Sequence, residues 1–298
     1  MHQVLFPDTR FLGGHDADKQ GLGDGVAITT YNATRREEIP DDVWRTTNGM
    51  IIGIGISITP EVIARLENCK IIVRMGVGYD NIDVAAAAKK LIPVANVPDY
   101  GTTDIADTAL ALILSFTRGV SAYDNALRED VVKNWSVTRA PAIRRMKGMH
   151  AGVVGLGRIG TAAALRLKAF DMTVHFYDPY VSNGQELALG LVRHHTLESL
   201  LAAVDVTTIH AFLNEETRGL IDAKAVAAMK KGMVLVNTAR GPICDLNALL
   251  DGLKSGQIAA VGLDVLPDEP PDPDEPLVKA WRENEDWIKG RVQFLPHA

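Results

Sequence analysis

Three glycines in Gly155-Leu156-Gly157-Arg158-Ile159-Gly160 have the spacing of a phosphate-binding turn, and Asp178 follows 18 residues after the last of them. In such a turn the first glycine permits a tight reversal and the second lets the backbone approach a pyrophosphate. The third lets a helix pack closely on a strand. The helix that follows would present its free N–H groups and partial positive charge to the phosphates. A carboxylate placed like Asp178 accepts hydrogen bonds from ribose hydroxyls and repels a 2′-phosphate, so the expected cofactor is NAD rather than NADP. Gly155, Leu156, Gly157, Arg158, Ile159 and Asp178 are the expected contacts, with Arg158 lying against the pyrophosphate. The competing reading is a plain βα turn whose glycines serve packing only.

The flanking elements decide between these readings. Ala151–Val154 reads as a strand, Thr161–Phe170 as a helix and Thr173–Tyr177 as the next strand, making one βαβ unit that ends in Asp178. Gly53-Ile54-Gly55 also follows a strand but lacks the third glycine. Short, nearly all-apolar runs alternate with amphipathic stretches along the whole chain, the pattern of parallel sheets covered on both faces. In the first third the strand candidates are Gln3–Phe6, Val26–Thr30, Met50–Ile54, Lys70–Arg74 and Pro93–Asn96, with helical patterns at Pro60–Glu67 and Val84–Lys89. After Val97–Gly101 one long helix is expected from Thr103 to Glu129, bridging two domains. A second alternation follows at Ala151–Val154, Thr173–Tyr177, Val206–His210, Met233–Asn237 and Ala260–Val265. Asp268–Pro276 is proline-rich and reads as a loop.

The 298 residues carry 31 Lys plus Arg against 37 Asp plus Glu, a formal charge of −6, with 47% hydrophobic and 23% charged residues. That composition supports large cores and argues against disorder. The mild acidic excess, with no Lys/Arg-rich block, argues against nucleic acid as a partner. Cys69 and Cys244 form no ligand pattern and read as buried thiols of a reducing compartment. The N-terminus shows no secretory pattern, and the longest apolar run, Ala109–Leu114, is too short to span a bilayer. A cytoplasmic protein without membrane or metal partners is expected.

Further motifs carry a resemblance. Gly155–Gly160 with Asp178, Val236-Asn237-Thr238-Ala239-Arg240-Gly241, Gly262-Leu263-Asp264-Val265, Asp268-Glu269-Pro270 and Pro296-His297 together resemble the D-isomer-specific 2-hydroxyacid dehydrogenases. The order and spacing hold from about residue 70 to 298. Ile71–Arg74 with Gly78–Asp83, Phe176–Tyr180, Ala188–Leu191 and Leu213–Glu215 are similar to the C-terminal-binding-protein branch.

The resemblance implies an α/β fold of two Rossmann-like or flavodoxin-like doubly wound parallel-sheet domains with a cleft between them. The implied substrate domain is discontinuous, residues 1–98 plus 296–298, with the NAD-binding domain at 99–295. The implied reaction moves a hydride between nicotinamide and C2 of a small 2-keto or 2-hydroxy acid. Arg240 matches the catalytic arginine, whose fork suits a carboxylate and a polarised carbonyl. His297 matches the general acid/base, and Glu269 the carboxylate that orients it. Asp-Glu-Pro occurs twice, but only Glu269 lies 29 residues after Arg240 and five after Asp264; Glu275 is left as a solvated loop residue.

Arg74, Val77 and Gly78 match the substrate loop, where backbone N–H groups can cradle a carboxylate. His210, Ala211, Thr217, Thr238, Ala239 and Asp264 match further cofactor contacts. Bland alternatives stand beside these roles: an ion pair for Arg240 or Arg74, a loop carboxylate for Glu269, a structural residue for His297, and a core histidine for His210. His194-His195 reads as a solvated loop pair, and Trp281 and Trp287 as a surface helix with one apolar stripe.

A homodimer through the second domain is expected, and the rival reading is an NAD-sensing dimeric scaffold like the corepressors of that branch. Formate dehydrogenation is disfavoured by glutamate at position 269. Family members continue past the Pro-His pair with a segment that packs back on the first domain, whereas this sequence stops at Ala298. The anchoring of His297 and the identity of the hydroxy acid are left open.

Overall fold

The computed structural model describes residues 1–9 and 16–298. They form two compact units, Met1–Gly101 and Thr102–Ala298. The division falls between Gly101 and Thr102, and residues 296–298 lie within the second unit.

The first unit is one sheet of five parallel strands, β1 His2–Phe6, β2 Val26–Thr30, β3 Gly49–Ile52, β4 Ile71–Arg74 and β5 Val94–Asn96, in the order β2-β1-β3-β4-β5. Its core gathers Leu5, Met50, Ile52 and Ile72 from the strands with Trp44, Val62 and Ile63 from the covering helices. The apolar runs are strands because each must bury both faces in a parallel sheet.

The second unit is a sheet of seven parallel strands, β6 His150–Val154, β7 Thr173–Tyr177, β8 Val192–His194, β9 Val206–Ile209, β10 Met233–Asn237, β11 Ile258–Leu263 and β12 Val292–Phe294. Their order is β12-β11-β10-β9-β6-β7-β8. Helices Leu197–Ala203, Ala223–Ala228 and Leu246–Ser255 bury leucines, alanines and valines in one core cluster, and helices Thr102–Arg118 and Arg158–Ala169 in another. The sheet is therefore doubly wound, and the strand order reverses between β6 and β9, the switch point at which such sheets bind ligands.

Three expectations need correction. The expected single helix Thr103–Glu129 is two helices, Thr102–Arg118 and Val120–Glu129, bent by 54°. The break falls at Gly119, whose φ of +70° is left-handed and whose Cβ, if present, would lie 2.5 Å from that of Ala140. Edge strands β8 and β12 were not expected; three-residue strands carry too little periodicity to register. His194 therefore ends a strand, and only His195 is exposed. Trp281 belongs to helix Pro276–Arg282 and meets Phe294 edge-on at 4.9 Å, while Trp287 lies beyond that helix, partly buried against the core. Among the described residues no single helix is long and apolar enough to cross a membrane.

Candidate active site

The glycine-rich turn follows β6. Gly155 has φ +86°, and a Cβ there would stand 2.8 Å from the Ala211 backbone nitrogen, because the ends of β6 and β9 approach closely. A Cβ on Gly160 would collide with the carbonyl oxygen of Gly155. Nothing lies within 4 Å of a Cβ at Gly157, which caps helix Arg158–Ala169 beside open space. Leu156 buries its side chain in the core, Ile159 is half-buried and Arg158 is exposed. The first-turn N–H groups have no intrahelical acceptors and face that space with the positive end of the helix dipole.

Asp178 directly follows β7. Its carboxylate accepts from Leu156 N–H at 2.8 Å and from Tyr180 N–H at 2.9 Å, so it braces the glycine turn. Tyr180 donates its hydroxyl to Glu216, joining the loops after β7 and β9.

His210, Ala211 and Thr217 lie in the segment after β9. His210 N–H bonds Val154 O at 2.8 Å, and its Nε2 lies 3.0 Å from Thr208 Oγ1. Its Nδ1 is buried without a protein partner, and burial pushes the imidazole down to about 4, so it is neutral at neutral pH. Thr217 Oγ1 donates to Phe212 O at 2.6 Å and accepts from Asn214 N–H at 2.9 Å, folding this loop on itself.

After β10 come Thr238, Ala239 and Arg240. Asn237, fully buried, holds that turn: its Oδ1 accepts from Ala239 N–H at 2.9 Å and its Nδ2 donates to Arg240 O at 2.8 Å. Arg240 Nη1 donates to Ala239 O at 2.7 Å. Thr238 Oγ1 is buried and has no protein partner. Orphaned polar atoms at Thr238 and His210, with the open space at Gly157, fit a polar ligand lying along the C-terminal ends of β6, β9 and β10. The residues present thus suit a dinucleotide.

The segment after β12 carries His297. Its N–H bonds Asp264 O at 2.9 Å, and the following N–H of Ala298 bonds Asp264 Oδ1 at 2.9 Å. His297 Nδ1 lies 2.7 Å from Glu269 Oε2, and Glu269 Oε1 accepts from Leu266 N–H at 3.1 Å. His297 is therefore held by backbone and side chain together. For Glu269, burial pulls the carboxyl upward, but the hydrogen bond and charge of His297, the Leu266 N–H and the charge of Arg240 outweigh it and leave it below the ordinary value. Burial raises Asp264, against the opposing pull of the Ala298 N–H and the His297 charge. Asp264 N–H bonds Asn237 O at 3.0 Å, so one lattice of hydrogen bonds runs from the Arg240 turn to His297.

In the first unit, Arg74 ends β4, buried, with Nη1 bonded to Met75 O. Its guanidinium covers Gly76, where a Cβ would collide with it. Val77 O accepts from Asn96 Nδ2 at 2.7 Å, and Gly78 is buried beside it. The incomplete glycine turn at Gly53–Gly55 already holds an anion of the chain itself. Asp8 accepts from the N–H groups of Gly53, Gly55 and Ile56 at 2.7, 2.7 and 3.2 Å. Neither Asp8 nor Asn237 was assigned a role from sequence. A lone amide ending an apolar strand was the available signal for Asn237; Asp8 has none, its partners lying some 45 residues away.

Comparison with known proteins agrees with this geometry. Residues 110–297 match the NAD-binding domain of the D-isomer-specific 2-hydroxyacid dehydrogenases. The chain is 38% identical over 255 residues to D-3-phosphoglycerate dehydrogenase of Archaeoglobus fulgidus, covering 86% of this chain and 47% of that protein. It spans about half the length of the curated relatives it matches. The solved D-lactate dehydrogenase of Aquifex aeolicus, complexed with NAD and lactic acid, gives a TM-score of 0.83 at 27% identity over 99% of this chain and 88% of that one. The NADPH-dependent glyoxylate/hydroxypyruvate reductase of Sinorhizobium meliloti, with NADP and malonate, gives 0.84 at 28% identity, over 99% and 86%. The chain belongs to the D-isomer-specific 2-hydroxyacid dehydrogenase family.

Proposed function

We propose that the protein is an NAD-dependent oxidoreductase that interconverts a small 2-keto acid and its D-2-hydroxy acid. The observation that carries this reading is the His297–Glu269 pair, 2.7 Å apart, hydrogen-bonded through Asp264 and Asn237 to the turn of Arg240. Its relatives act on phosphoglycerate, lactate and glyoxylate, which supports a 2-hydroxy acid and favours an enzyme over the scaffold reading.

The Gly155–Gly160 turn would hold the pyrophosphate and Asp178 the adenosine ribose, whose negative charge favours NAD. His210, Thr238 and Asp264 would meet the nicotinamide half. When bound, the nicotinamide supplies or accepts the hydride at C2. Arg240 pairs with the substrate carboxylate and draws electron density toward the carbonyl oxygen. With Nδ1 engaged by Glu269, His297 has Nε2 left for the substrate, giving a proton to that oxygen in reduction and taking it back in oxidation. Glu269 stays ionised and stabilises the imidazolium form. Arg74 and the 75–78 turn supply the substrate contacts of the first unit.

Val131, Val132, Trp135 and Val137, apolar and exposed within one short segment of the second unit, support a homodimer through it. Two free, buried cysteines support a reducing, cytoplasmic setting. A panel of 2-keto acids with NADH tests the proposal: turnover of at least one is expected, and turnover of none by the folded, NADH-binding protein overturns it.

A further inference from the structure

Three histidines that the reaction does not use stand in a row across neighbouring strands. His150 begins β6, His175 is the third residue of β7, and His194 ends β8. His150 Nδ1 lies 2.7 Å from His175 Nε2, His175 Nδ1 lies 2.9 Å from His194 Nε2, and His194 Nδ1 lies 3.1 Å from Ser199 Oγ. Ser199 in turn donates its hydroxyl to Thr196 O at 2.9 Å.

The far end sets the direction of the whole row. Because the Ser199 proton goes to Thr196, its oxygen must accept from His194 Nδ1–H. His194 Nε2 is then an acceptor, so His175 donates from Nδ1, accepts at Nε2, and receives its bond from His150 Nδ1–H. All three imidazoles must carry a proton on Nδ1, and His175 and His194, each accepting at Nε2, must be neutral. An added proton fits only on His150 Nε2, the open end. Added to His175 or His194, it sets two donors face to face.

We propose that this row is an acid-sensitive strap, which ties edge strand β8 and helix Leu197–Ala203 to the cofactor half of the sheet and loosens when protonated. β7 continues from His175 to Tyr177, directly before Asp178, so the strap supports the strand that presents the proposed ribose-binding carboxylate. The charged groups around it do not neutralise an added proton within the row. Asp205 bonds the His150 N–H at 3.0 Å and is paired with Lys230, Glu198 of the covering helix pairs with Lys224, and Arg193 of β8 pairs with Glu186. His195, exposed beside His194, adds like charge when protonated. Burial first, then the two neighbouring imidazoles, holds His175 down to about 4 against the pull of Asp205. Between the ordinary histidine value near 6.5 and about 4, the unfolded chain takes protons that the folded chain refuses, so stability falls as pH falls through that window.

Two measurements decide the matter. In long-range 1H–15N spectra of the wild-type protein labelled on histidine, His175 and His194 are each expected as the neutral Nδ1–H tautomer at pH 7.5, with a proton on Nδ1 of His150. An Nε2–H tautomer or a charged ring at His175 overturns the strap and needs no variant. His175→Gln keeps one acceptor and one donor but cannot titrate. Relative to this variant, wild type is expected to lose about 3 °C more in Tm between pH 7.5 and 5, and to weaken about threefold more in NADH Kd. The same pH dependence in both proteins overturns the proposal. The Kd arm rests on the cofactor reading above; absence of NADH binding at pH 7.5 would count against that reading, while the tautomers and Tm still judge the strap.

Discussion

Asp264 receives His297 through its backbone oxygen and Ala298 through its carboxylate, so a single buried residue at the end of β11 fixes the segment that carries the imidazole. Nothing in the immediate neighbourhood of His297 in the chain does this. The anchor comes from 33 residues earlier, through the pairing of β11 with β12. General acid/base work depends on such fixing, because a proton moves only between atoms already at hydrogen-bond distance.

Replacing Glu269 by Gln should lower kcat about 10²-fold or more while leaving NADH affinity near wild type, because the amide cannot stabilise the imidazolium. Steady-state kinetics and fluorescence titration check both parts. The pH dependence has a defined sign. With the Glu269 carboxyl held below its ordinary value, the pair contributes stability above about pH 4.5, and this is lost as pH falls through the folded-state value. Glu269→Gln should therefore flatten the acid limb of a Tm–pH curve.

Asn237→Ala should destabilise the second unit by about 1–3 kcal/mol, since it leaves the partly buried Ala239 N–H and Arg240 carbonyl without their partner. If Asn237 positions Arg240, the folded fraction will also show a raised KM for the keto acid with an unchanged NADH Kd. A drop in kcat alone, in proportion to lost active protein, would assign it to stability only.

Gly157→Ala and Gly160→Ala should part company. A methyl at 157 enters open space and should preserve Tm; if the proposed pyrophosphate contact lies there, it should weaken NADH binding about tenfold. A methyl at 160 strikes the Gly155 carbonyl and should cost roughly 2 kcal/mol or more of stability. Thermal melts alongside NADH titrations separate the two.

Asp8→Ala should destabilise the first unit by about 2 kcal/mol or more, because three N–H groups of the 53–56 turn lose their acceptor together. Denaturant unfolding followed by Trp44, buried in that unit, reports it. Asp8→Asn should recover part of the loss through its amide oxygen.

Local chemistry made much of this protein legible in its sequence. The 155–160 turn, its strand and helix, and Asp178 could be read directly, since a phosphate-binding turn is specified by a few consecutive residues and by short-range periodicity. The buried strands were legible for the same reason: a strand covered on both faces is apolar throughout. Tertiary structure decided what depends on distant partners. Whether His297 is held rested on Asp264 and the unexpected strand β12. The support of Arg240 rested on a buried amide, and the filling of the second glycine turn on Asp8. His194, locally a polar residue beside another histidine, acquired its surroundings only when β8 paired with β7. Hydrogen bonds of this kind form between groups that the chain brings together late and from far apart, so residue type shows what each can donate or accept, and only the fold shows to whom.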